Sequence, residues 1–145
     1  MDLAPAVLGT LESALYVDDL DAACAFYRDV MGLRPFQHAP GRHVFLMVAQ
    51  TPQRQVLLLF RAEATETPPK ADARFPVPPH GARGPGHYCF AAAPDQIDPW
   101  RAHLERHGTV IEAEITWPGG ARSLYFRDPA GNSLEIADAA IWAGV

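Results

Sequence analysis

A proline-rich stretch with the same order of strand and helix signals on either side of it is the strongest limit on what this chain can fold into. Six of its 14 prolines fall between Pro68 and Pro85, with Gly81, Gly84 and Gly86 around them. Proline fixes φ and lacks a backbone donor, so this stretch suits neither a helix interior nor a central strand. Residues 62–86 are therefore expected to form an irregular or partly extended connection. Connections this long inside a compact domain are usually functional or mobile. Two segments of similar length remain, about 9–61 and about 87–140.

Each segment carries the same series of signals. Thr10–Val17 alternates Leu11, Ser13, Leu15 and Val17 with Glu12, Ala14 and Tyr16, which is a strand period. Asp18 and Asp19 supply acceptors for a helix start. Leu20, Ala23, Cys24, Tyr27, Val30 and Met31 then recur at three and four, and Gly32 stands where a C-terminal cap is expected. Strands are predicted around residues 34–37, 42–49 and 55–61, separated by Pro40–Gly41 and Pro52. In the second segment, His87–Ala92 reads as a strand. Asp95 opens a helix striped by Ile97, Trp100 and Leu104, and Gly108 closes it. Strands follow over 110–116, 122–127 and 133–137. Glu12 and His87 are 75 residues apart, Gly32 and Gly108 are 76 apart, and Leu58 and Glu135 are 77 apart. Two copies of a strand–helix–three-strand unit account for that near-constant offset. The alternative is an unrelated α+β domain with two helices.

At 145 residues the chain fits one domain spanning 1–145. Its 48% hydrophobic and 20% charged content is globular rather than disordered. No apolar run approaches the ~20 residues of a membrane span. The N-terminus lacks the basic start of a signal sequence. A net charge of −5 argues against a nucleic-acid partner. Two cysteines, Cys24 and Cys89, are too few for a disulfide scaffold, so a cytoplasmic location is expected.

The turn Asp128–Pro129–Ala130–Gly131–Asn132 joins the last two strands: proline presets φ, glycine supplies positive φ, and Asp and Asn bond their own backbone. If Arg127 and Ser133 flank it as partners, Tyr125 lies opposite Glu135, with Ser123 on the same face. A one-residue slip would turn all three outward.

Three runs carry a family resemblance: LYVDDLDAACAFYRDVMGL over 15–33, GPGHYCFA over 84–91 and GGARSLYFRDPAGNSLE over 119–135. Together they resemble the glyoxalase/bleomycin-resistance/extradiol-dioxygenase superfamily, also called the vicinal oxygen chelate superfamily. The resemblance implies an α+β fold of two tandem βαβββ modules whose mixed sheets curve around a cleft. It implies a divalent metal in that cleft and a homodimer in which the site is shared between chains. Carried over residue by residue, the metal ligands fall on Glu12, His87 and Glu135. The fourth ligand position of the glyoxalase I arrangement falls on Leu58, which cannot bind a metal. Glu12 stands where the extradiol dioxygenases have a histidine.

These ligand types offer nitrogen and oxygen donors, and zinc, manganese, iron, nickel and cobalt all remain compatible. Three protein ligands leave positions for water or a bidentate small-molecule substrate. Glu12 or Glu135 could act as general base. Tyr125 and Ser123 are candidates to bind substrate, with cross-strand packing as the alternative. Trp117 would wall the pocket, and Arg122 would meet an anionic substrate unless it is simply a surface arginine. The functions expected are a metal-dependent enzyme acting on a small oxygenated compound, with lyase, isomerase or dioxygenase chemistry, or a metal-free drug-binding protein of the bleomycin-resistance type. The arm is expected to bring His80 near the cleft or the dimer seam.

Overall fold

The computed structural model describes residues 3–145; Met1 and Asp2, the first residues of the expected domain, lie outside them. The first module runs β1 (Glu12–Tyr16), α1 (Leu20–Asp29), β2 (Arg34–Ala39), β3 (His43–Ala49) and β4 (Gln55–Phe60). A one-turn helix α2 (Ala62–Thr65) opens the connection. The second module runs β5 (His87–Ala92), α3 (Ile97–Arg106), β6 (Ala113–Thr116), β7 (Arg122–Arg127) and β8 (Ser133–Asp138). Among the described residues there are two four-stranded mixed sheets, ordered β1-β4-β3-β2 and β5-β8-β7-β6. In each, the first strand runs parallel to the last and the remaining pairs are antiparallel. The expected α+β class and tandem modules are therefore present. The sequence reading missed α2, and it began β6 three residues early.

The register proves the repeat. Glu12 pairs with Val56 as His87 pairs with Ser133, and Ala14 pairs with Leu58 as Cys89 pairs with Glu135. The C-terminal helix caps repeat too, since Leu33 N–H donates to Tyr27 O at 2.9 Å after α1 beside Gly32 at φ +70°, whereas the N-caps differ because α3 has no side-chain cap. Asp19 accepts from the Ala22 amide at 3.0 Å, which satisfies one of the free donors at the start of α1. Gly108, at φ +69°, closes α3 while Thr109 N–H donates to Leu104 O at 2.9 Å.

One face of each sheet is covered. Leu15, Val17, Val44, Leu46, Leu57 and Leu59 from the first sheet are buried with Leu20, Ala23 and Tyr27 of α1. Phe90, Leu124, Phe126, Leu134 and Ile136 from the second are buried with Ile97 and Leu104 of α3. All of these belong to one continuous core that joins the modules. Polar contacts pin the joint. Tyr27 Oη donates to Asp128 Oδ2 at 2.7 Å, Asn132 Nδ2 donates to Tyr16 O at 3.1 Å, and Gly86 N–H donates to Asn132 Oδ1 at 2.8 Å. The opposite faces of both sheets remain open, and strand alternation assigns the candidate site residues to them.

Candidate functional site

The open face of the second module carries His87 and Cys89 from β5, Glu135 from β8, and Ser123 and Tyr125 from β7. Tyr125 lies directly opposite Glu135, as the turn chemistry predicts. Glu135 is 5% exposed, and its Oε1 is buried with no hydrogen-bond partner. Its Oε2 lies 3.3 Å from His87 Nε2. His87 Nδ1 lies 3.0 Å from Ser133 O. A carbonyl oxygen only accepts, so Nδ1 carries a proton, and in the neutral tautomer that this leaves Nε2 would turn a bare lone pair toward a carboxylate oxygen. Two lone-pair atoms at that separation need a proton or a cation between them. An imidazole nitrogen and a buried carboxylate are ligands for a borderline divalent metal, and the Nδ1–carbonyl bond is the outer contact that fixes a metal-binding histidine.

The neighbours tune this pair. Tyr125 stacks beside His87 with ring centres 6.3 Å apart. Burial, and then the facing Glu135 carboxylate, raises its phenol above the usual range, so it stays a proton donor at neutral pH. Burial and Glu135 push the Cys89 thiol up to about 12, which removes it as a nucleophile near pH 7. Trp117 Nε1 donates to Ser123 Oγ at 2.8 Å, so the indole comes to this face and holds the fully buried hydroxyl.

Arg122 is not brought to the site. It lies on the helix-side register of β7 and donates to Asp98 Oδ1 at 2.8 Å and to Glu114, so its charge is already matched at the surface. Glu12 is not brought to His87 and Glu135 within one chain either. Among the described residues, no group of three or more His, Cys, Asp or Glu side chains could hold a metal ion. Glu12 lines a separate cleft of about 790 Å³ on the open face of the first module. That cleft is walled by Tyr16, His43, Phe45, Leu58 and Phe60, and by Phe75, Val77 and His80 from the proline-rich arm. His80 does reach a cleft: its Nδ1 is hydrogen-bonded to Tyr16 Oη at 2.6 Å, and its backbone N–H donates to Thr65 O at 3.0 Å. Phe45, Phe60 and His43 are not among the site residues expected from the sequence, yet they line this cleft. Alternation in β3 and β4, read from Leu58, carries the signal that finds them.

The glyoxalase/bleomycin resistance protein/dioxygenase superfamily model matches residues 9–136. The chain belongs to this superfamily. A lactoylglutathione lyase from Agrobacterium tumefaciens is 43% identical, with 94% of this chain and 98% of that chain covered and a TM-score of 0.84. Two more distant structures share the fold. A fosfomycin resistance protein from Listeria monocytogenes, solved with Mn(II), is 17% identical over 91% of this chain and 90% of its own, with a TM-score of 0.64. An antibiotic-binding protein from a Streptomyces species is 24% identical over 93% and 98%, with a TM-score of 0.62. No helix among the described residues is long and apolar enough to cross a membrane.

Proposed function

We propose that this superfamily member is a divalent-metal-dependent lyase or isomerase acting on a small oxygenated compound, at a site completed by two copies of the chain. The observation that carries the metal is the His87 Nε2–Glu135 Oε2 approach at 3.3 Å with Nδ1 committed to Ser133 O. His87 and Glu135 would hold the ion from one copy. Glu12, exposed at the first module's cleft, would complete the set from the other. A bound divalent cation supplies Lewis-acid polarisation of a substrate carbonyl or enolate oxygen. Glu12, the exposed carboxylate, is the better placed base, because Glu135 is buried beneath the face. Tyr125 donates its phenol proton to a ligand oxygen. The 43% identity to a lactoylglutathione lyase supports lyase chemistry over ring cleavage. Two free thiols, Cys24 and Cys89, support a cytoplasmic setting.

A metal-free binding protein is the second reading. It is favoured by Leu58, which occupies the register position of Glu135 in the first module, and by the rings around it. Metal analysis of the purified protein separates the two. About one divalent ion per two-carboxylate, one-histidine site is expected, and uptake should fall at least about 100-fold in His87→Ala and in Glu135→Ala. No uptake, or equal uptake by the variants, selects the binding protein.

A further inference from the structure

The register lays the second module's open face onto the first, so that His87 maps to Glu12, Glu135 to Leu58 and Tyr125 to Phe45. Where one face sets a carboxylate against a phenol, the other sets an alkyl chain against a phenyl ring. The rings there are continuous. Phe45 stacks on His43 with centres 4.1 Å apart at 12°, and meets Phe60 edge-on at 5.6 Å. Phe60 in turn meets His80 edge-on at 4.7 Å. The proline-rich arm adds Phe75 and Val77 at the rim, 73% and 58% exposed. Pro76, Pro78 and Pro79 restrict this strap, and the His80–Tyr16 bond ties its end to β1. These exposed apolar groups stand on a tethered strap at the rim of a ring-lined cleft of about 790 Å³, and an apolar, aromatic lining of that kind is typical of small-molecule sites. The cation at the rim is already engaged, because Arg42 Nη1 donates to Ala64 O at 2.7 Å.

We propose that the first module's face seats a planar aromatic group of the ligand, edge and face contacts with Phe45, Phe60 and Phe75 selecting flat rings over saturated ones. This rests on the shared-site reading above: the oxygenated end of the ligand faces His87 and Glu135 of one copy, and its ring lies under the arm of the other. The test titrates 2-naphthol and its saturated counterpart decahydro-2-naphthol into the full-length protein by calorimetry. The aromatic compound should bind at least about 10-fold tighter. Phe45→Leu and Phe75→Leu keep apolar bulk, and each should cut that preference by about threefold or more. Phe75 is so exposed that its replacement leaves folding intact, and circular dichroism checks the Phe45 variant. Glu105→Gln, exposed on α3 and lining neither cleft, should leave the preference unchanged. Equal affinity for the two compounds, no binding of either, or a preference that survives both phenylalanine substitutions overturns the assignment. Metal uptake is measured separately on the same preparations. Loss of ring selectivity with metal retained therefore refutes the aromatic seat alone, and ring selectivity without metal refutes the metal reading alone.

Discussion

Asp128 is 4% exposed, yet its two oxygens receive four donors. Oδ1 accepts from the Ala130 and Asn132 amides, and Oδ2 accepts from Asn132 Nδ2 and from the Tyr27 hydroxyl. The first three are local turn chemistry, legible in Asp-Pro-Ala-Gly-Asn. The fourth comes from a side chain 101 residues away, and no local period announces it. Burial, and then the Asp128 charge, hold the Tyr27 phenol far above its ordinary value of 10.0. The sign follows from linkage. A raised folded pKa leaves the full contribution present below about pH 10, and it is lost as pH rises beyond that, because only the unfolded state then releases the proton. Denaturant midpoints should therefore fall more steeply above about pH 10 in the wild type than in Tyr27→Phe. At pH 7 the same substitution should cost about 1–3 kcal/mol, because it takes one donor from a buried carboxylate. Parallel alkaline slopes for the two proteins would remove Tyr27 from this role.

Each module's alternation, caps and closing glycine belong to the element scale, and they were readable because strand and helix periods are local. Glu12, Ala14 and Tyr16 share a face as expected, and so do Ser123 and Tyr125. The joint between elements was not readable. Gly86, just before β5, has room for no side chain: a Cβ there would meet Leu15 Cδ2 of β1 at 2.9 Å and Asn132 Oδ1 at 3.3 Å. Its φ is not in the left-handed region, so steric closeness rather than backbone freedom requires glycine. Gly86→Ala should destabilise the fold by about 1–3 kcal/mol through overpacking. It should also displace the neighbouring His87. Leu15→Ala in the same chain should restore part of the loss, read as a coupling energy in a double-mutant cycle. Strictly additive effects would mean that the contact does not limit the joint.

Across the whole molecule, the separation of Glu12 from the His87–Glu135 pair makes the shared-site proposal testable by mixing. A chain carrying Glu12→Ala, co-expressed with a chain carrying Glu135→Ala, gives a mixed dimer with one site lacking both groups and one site intact. With random pairing, about a quarter of the sites in the population should take up metal, although each variant alone takes up none. Mixing that recovers no sites would place all the ligands within one chain, and metal uptake by the Glu12→Ala chain alone would remove Glu12 from the set. The sequence by itself determined the duplication, the two helix stripes, the hairpin that sets Tyr125 against Glu135, and the family. Each depends on spacing over a few residues or on motif order. Only the tertiary structure decided that Arg122 is spent on Asp98 and Glu114, that the proline arm folds back over rings from three strands, and that Glu12 and Glu135 occupy different faces. Those outcomes depend on how two separately periodic modules pack around one core, and that packing joins residues whose distance along the chain carries no period.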